Sequence, residues 1–160
     1  MKKEEHLPET GVGPYYVGLI ILMTVTGICL SVNRIIHTGN AIVLHIPFLI
    51  MGFLFILTGI IVYIMAMICI SDHIVKNELV TTGIYGYTRN PIYTAFLMVC
   101  TGAILLTNDL WLLLLPILYW LMLTILMKLT EEKWLKALYG DPYLEYCRHV
   151  NRCIIWIRKK

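Results

Sequence analysis

The stretch IVLHIPFLIMGFLFILTGIIVYIMAMICI, Ile42–Ile70, runs for 29 residues without one Asp, Glu, Lys or Arg. An α-helix rises 1.5 Å per residue and a bilayer core is about 30 Å thick, so about 20 such residues span it. The run therefore reads as a membrane helix with length to spare. Pro47 suits a helix start and leaves about 25 residues, so the helix should tilt or project past the bilayer, ending near Ser71 and Asp72. His45, just before Pro47, reads as a satisfied interfacial residue rather than a ligand.

Outward from this stretch the same signature recurs, and uncharged apolar runs of 16 or more residues occur four times in the 160-residue chain. Tyr15–Val32 gives roughly 27 Å of helix, with Tyr15 and Tyr16 placed for an interfacial belt. Gly27 and Ser31 form a small-residue pair that admits a close helix neighbour. Pro91–Thr107 has 17 residues and is followed, after Asn108-Asp109, by Leu110–Leu129. So short a break dictates an antiparallel helical hairpin, with Asn108 or Asp109 capping the returning helix. Pro116 should kink that fourth helix and free the Leu112 carbonyl, a weak pointer to a cavity. From Lys128 the pattern turns amphipathic, so the fourth helix is expected to continue unbroken to Gly140-Asp141-Pro142, with a short helix and basic tail after it.

Composition agrees: 59% of residues are hydrophobic and only 14% charged, too little charge for the surface of a soluble domain of this size. With four spans, twelve basic residues fall on one side and only Arg34 on the other, which places both termini in the cytoplasm of an inner-membrane protein. The basic tail then faces anionic lipid, and nucleic acid is not an expected partner. The five cysteines show no metal-ligand spacing, so neither a disulfide framework nor a metal site is read from them. The first apolar run follows a polar head and lacks a small-residue cleavage site, so it is not read as a cleavable signal. The expectation is one all-α membrane domain over residues 1–160: a polar lead to 14, spans over 15–129, and cytoplasmic helices and tail over 130–160.

The polar interval LVTTGIYGYTRNPIY, Leu79–Tyr93, is not written as a floppy linker. It holds two glycines, three tyrosines, an arginine and a proline within 15 residues. Pro91 suits the first position of a helix and Asn90 its N-cap, and the free N–H groups of such a start favour an anionic group. The bland alternative is a structured loop that merely begins a helix.

This loop, the tight hairpin and EEKWLKALYGDPYLEYCRHVNRCI together resemble the isoprenylcysteine carboxyl methyltransferase family and its phospholipid methyltransferase relatives. The pattern is Leu-Val-x-x-Gly-x-Tyr, Arg-His-Pro-x-Tyr, Glu-Glu-x-x-Leu, then Gly followed by Tyr-x-x-Tyr. Leu79, Val80, Gly83, Tyr85, Arg89, Pro91, Tyr93, Glu131, Glu132, Leu135, Gly140, Tyr143 and Tyr146 match it. The resemblance implies an S-adenosylmethionine cofactor, held at Asn77, Glu78, Leu79, Val80, Tyr85, Asn90, Pro91, Ile92, Tyr93 and Glu131. It places Arg89 and Asn90 at the reaction, with Arg89 and Lys128 toward the substrate. Two positions depart from the pattern. Asn90 stands where the family has histidine; it can hydrogen-bond but not titrate near neutrality. Met127, with Lys128 beside it, stands where the prenylcysteine enzymes carry an arginine.

Chemistry supports the same reading. A sulfonium donor needs a carboxylate, aromatic faces and exclusion of water, and methyl displacement depends on alignment more than on acid–base help. The expected activity is methyl transfer to a lipophilic small molecule or lipid head group. The rival is a non-catalytic membrane subunit or small transporter, against which stands the lack of ionisable residues within the spans. On helical spacing, Glu132 can sit in a solvated ladder between Lys128 and Lys136, whereas Glu131 shares an apolar face with Met127, Trp134, Leu135 and Leu138. Arg89 as a lipid-phosphate anchor, the tyrosines as belt residues and Lys128 turned inward to Glu131 are the competing structural readings.

Overall fold

A computed structural model describes residues 12–35, 44–74 and 79–153, with residues 72–74 as backbone only. Six helices occur in this part of the chain: α1 (Gly13–Val32), α2 (His45–Ile74), α3 (Pro91–Thr107), α4 (Leu114–Leu129), α5 (Glu131–Tyr139) and α6 (Asp141–His149). Single 3-10 turns at Gly83–Gly86 and Leu110–Leu113 precede α3 and α4. The molecule is a helical membrane bundle, as the apolar runs require.

Among the described residues three stretches are long and apolar enough to cross a membrane: Gly13–Val32, His45–Ser71 and the region Leu110–Tyr139, whose uncharged part ends before Lys128. The shorter α3 covers the same depth as α1. Its Tyr93 ring meets Tyr16 edge-on at one end (5.9 Å), and beyond its other end Ser31 Oγ donates to Asp109 (2.9 Å). Four helices thus traverse the bundle.

Glycines set how closely α2 and α3 approach. A Cβ on Gly52 would lie 2.9 Å from the Gly102 carbonyl oxygen, and one on Gly102 would lie 2.6 Å from that of Gly52. Further along, a Cβ on Gly59 would be 2.9 Å from the Ala95 carbonyl, so the helices run antiparallel with backbones nearly touching. Gly102→Val is expected to force the pair apart and destabilise the bundle by about 2 kcal/mol, read as a fall in thermal midpoint in detergent. The Gly27–Ser31 pair performs the same office for α1. Gly27 admits Leu112 and Leu115 at 3.1 Å from where a Cβ would be, and Ser31 reaches Asp109.

The hairpin forms as expected. Asn108 closes α3 in the left-handed conformation (φ 55°), and Asp109 Oδ1 accepts from the Trp111 N–H at 3.2 Å. Buried between α1, α3 and α4 are Tyr16, Ile20, Ile104, Tyr119, Leu123 and Met127. Their polar atoms are satisfied locally: Tyr16 donates to the Tyr119 carbonyl (3.1 Å), and Thr24 bonds the Tyr119 hydroxyl (2.9 Å).

Three expectations need correction. Helix α2 begins at His45 rather than Pro47 and has 30 residues, because proline in a first turn removes a hydrogen bond that would be unmade there anyway. Pro116 falls in the first turn of α4, after the 3-10 turn, so it kinks no helix interior and marks no cavity. The fourth helix does not run unbroken to Tyr139. It stops at Thr130 (φ −121°, ψ −84°), whose hydroxyl bonds back to the Leu126 carbonyl at 2.6 Å. Such back-bonding bends helices, and here it turns α5 away from α4.

Candidate functional site

The loop ahead of α3 is held from both sides. Gly83 has φ +59°, and a Cβ there would lie 2.6 Å from Cys69 Sγ, so conformation and space both require glycine. Ile84 and Tyr85 are buried against Val62 and Ala66 of α2 and Ala95 of α3. The Tyr85 carbonyl accepts from the Tyr146 hydroxyl at 2.6 Å, tying the loop to α6. Thr88 is fully buried and bridges to Asn151 in parallel register.

Asn90 is the residue before α3, but its side chain does not cap the helix. Its Nδ2 and its own N–H both donate to the Arg152 carbonyl, at 3.1 and 3.2 Å. A carbonyl supplied from 62 residues away outcompetes the local cap, which helical spacing alone does not reveal. Among the described residues no side chain caps the first N–H groups of α3.

Beside that start lies a cavity of about 200 Å³, far more than the ~10–15 Å³ a single water needs. The loop contributes Leu79, Val80, Tyr85, Arg89 and Asn90, and α3 contributes Pro91, Ile92 and Tyr93. Helix α5 closes it with Glu131, Leu135 and Tyr139, joined by Tyr143 and Tyr146 from α6 and Ile70 from α2. Glu131 accepts a hydrogen bond from the Tyr93 hydroxyl at 2.8 Å. Burial pushes its carboxyl above the usual range, and the Tyr93 hydrogen bond offsets only part of that. Among the described residues no cation pairs with it. The first turn of α1 backs this contact, since a Cβ on Gly13 would lie 2.8 Å from the Tyr93 ring.

Glu132 has the opposite environment. Arg152 donates to both its carboxylate oxygens (2.5 and 2.8 Å), and Arg89 Nη1 lies 3.2 Å from Oε1. Burial would raise its pKa, but the Arg152 hydrogen bonds, with the charges of Arg89, Arg152 and Lys128, hold it below the usual range. The solvated Lys128–Glu132–Lys136 ladder is therefore not the arrangement found. Arginines 43 and 20 residues away in sequence take the carboxylate, a pairing that periodicity along one helix cannot show. Arg89 also contacts Cys147 Sγ at 2.6 Å, and its buried Nε has no hydrogen-bond partner among the described residues. With a side chain only 11% exposed, Arg89 is too enclosed for a lipid-phosphate anchor at the bilayer surface.

Of the residues singled out from sequence, Leu79, Val80, Tyr85, Arg89, Asn90, Pro91, Ile92, Tyr93 and Glu131 come together around this one cavity. Asn77 and Glu78 lie outside the described residues. Lys128 is exposed and off the cavity wall, and makes no ion pair with Glu131, while Met127 is buried in the core. Ile70 and Tyr139 join the wall without any signal in the pattern, whereas Leu135, Tyr143 and Tyr146 match the pattern but carry no assigned site role. Spacing of four from Glu131 would have found Leu135 and Tyr139. A second crevice, about 520 Å³ and more open, separates the far ends of α1 and α3; its one charged wall residue, Arg34, is exposed.

No curated protein and no solved structure matches the chain. The model of the phospholipid methyltransferase family does match, over residues 40–142. That region holds α2, the loop, the hairpin and the Glu131 helix, most of the cavity wall. Since the match covers more than half of the chain and the elements that build its cavity, this protein belongs to the phospholipid methyltransferase family of membrane proteins.

Proposed function

We propose that the protein transfers a methyl group from S-adenosylmethionine to a lipophilic acceptor, a small molecule or lipid head group, within the cavity between the loop, α3 and α5. The observation that carries this reading is Glu131. A largely buried carboxylate with no cation paired to it among the described residues is costly, and its cost falls when a cationic ligand meets it. Bound there, S-adenosylmethionine supplies an activated methyl group on a sulfonium and an ammonium of matching charge.

Each wall residue then has a physical task. Tyr93 fixes the orientation of the Glu131 carboxylate through its hydroxyl. Tyr85, Tyr139, Tyr143 and Tyr146 offer aromatic faces suited to a cation and to a planar base. The unfilled N–H groups at the start of α3 suit a carboxylate. Arg89, on the same wall, is the cation facing the acceptor, and Asn90 supports it from the adjoining position. Water is kept out by Ile70, Leu79, Val80, Ile92 and Leu135. Together these groups align and desolvate rather than exchange protons, which is what displacement at a methyl carbon requires. The side-chain tie from Asn90 to the Arg152 carbonyl also gives that asparagine a task needing no titration.

Isothermal titration of the detergent-solubilised protein with S-adenosylmethionine tests this directly. Affinity should fall as pH is lowered, because the protonated carboxyl is neutral and cannot hold a cation. Since burial raises the Glu131 pKa, the loss should begin above the ordinary glutamate value of about 4.3, with up to tenfold lost per unit below the shifted value. No heat of binding at neutral pH would sink the proposal.

The distribution of basic residues supports a cytoplasmic position for the loop, and hence for this cavity, at the inner membrane. Cysteine introduced at Gly86 in a cysteine-free background should resist a membrane-impermeant thiol reagent added outside, while cysteine at Asn33 should react. The reverse pattern would overturn the orientation.

A further inference from the structure

Beyond residue 142, where the family match ends, the chain returns to the site. Residues 151–153 lie along the loop. The Arg89 N–H donates to the Asn151 carbonyl (2.9 Å), the Thr88 hydroxyl to the Arg152 carbonyl (3.2 Å), and the Thr94 hydroxyl to the Cys153 carbonyl (2.9 Å). This segment carries Arg152 to Glu132, where its Nε and Nη2 occupy Oε1 and Oε2.

The consequence falls on Arg89. An arginine facing a carboxylate alone makes two parallel hydrogen bonds with it. Here Oε2 is already taken and Oε1 is shared, so Arg89 meets Glu132 through Nη1 at Oε1, and its buried Nε has no hydrogen-bond partner among the described residues. We propose that Arg152 is a positioning residue for Arg89. By occupying Glu132 it stops Arg89 from collapsing onto that carboxylate and keeps its guanidinium on the cavity wall, toward the methyl acceptor. This rests on the reading of the cavity given above, with the donor at Glu131 and the acceptor at Arg89.

The test uses the full chain in detergent micelles, labelled with nitrogen-15 at arginine Nε; five arginines make the spectrum tractable, and Arg89→Lys assigns the signal. In Arg152→Gln the Glu132 oxygens are freed and Arg89 should pair with them through Nε. Its N–Hε proton should shift downfield and exchange with water about tenfold more slowly, as one charge-assisted hydrogen bond implies. Arg152→Lys covers one oxygen only and should move the signal part of the way, which keeps the test usable if the glutamine variant does not fold. Affinity for S-adenosylmethionine should stay within about twofold of wild type in both, because Glu131 is untouched. An Arg89 signal unmoved in either folded variant overturns the proposal, as does joint loss of thermal stability and donor binding in both, which marks the segment as structural support alone. Absence of donor binding in the wild type would count against the methyl-transfer reading, while the Arg89 signal still reports on Arg152.

Discussion

Glu131→Gln is expected to lower S-adenosylmethionine affinity by about 30-fold or more while leaving the protein folded. Removing one partner of an enclosed charge pair costs about 2–5 kcal/mol, and each 1.36 kcal/mol is tenfold. In the free protein the sign is reversed. Burial disfavours the ionised Glu131, so a neutral isostere relieves that cost, and the Tyr93 hydroxyl still finds an oxygen to bond. The thermal midpoint without donor should therefore hold steady or rise slightly, and the pH dependence of donor binding that arises from Glu131 should vanish. Unchanged affinity in a folded glutamine variant would falsify the assignment of Glu131 to the donor.

The contrast between Glu131 and its neighbour shows what could be read from the chain. Glu131 shares its helix face with Met127, Trp134, Leu135 and Leu138, so helical spacing alone points it toward an apolar enclosure. The spans, the Asn108–Asp109 hairpin and the loop ahead of Pro91 were legible for the same reason, since each is written in consecutive residues. Contacts between distant segments were not. Glu132 looked solvated because only its helix neighbours Lys128 and Lys136 could be counted, whereas Arg89 and Arg152 arrive from other elements. Asn90 was legible as the residue before α3 but not as a side chain bound to residue 152. The close approach of Gly52 to Gly102 likewise depends on a helix pairing that no single helix announces. Thr130 is intermediate: a threonine between two helical patterns marks a possible bend, but apolar periodicity across it favoured continuity.

Glu132→Gln is expected to act on stability first. It removes the one carboxylate between Arg89 and Arg152, leaving two guanidinium groups close together in a partly enclosed site. Breaking a buried ion pair by removing one partner costs about 3–5 kcal/mol. Here the side chains are 11%, 19% and 21% exposed, so solvent screening brings the expected loss to about 2–3 kcal/mol. The pH dependence has a definite sign. Because the folded-state pKa of Glu132 is depressed, its stabilisation is fully present above the unfolded value of about 4.3 and is lost as pH falls through the lower folded value. The wild type should thus lose midpoint on acidification below about pH 5, and the glutamine variant should lack the part of that slope due to this carboxylate. Donor affinity, measured at low temperature where the variant remains folded, should stay within a few-fold of wild type, since Glu132 is not among the residues lining the cavity. A glutamine variant with unchanged midpoint but no donor binding would place Glu132, not Glu131, against the cofactor.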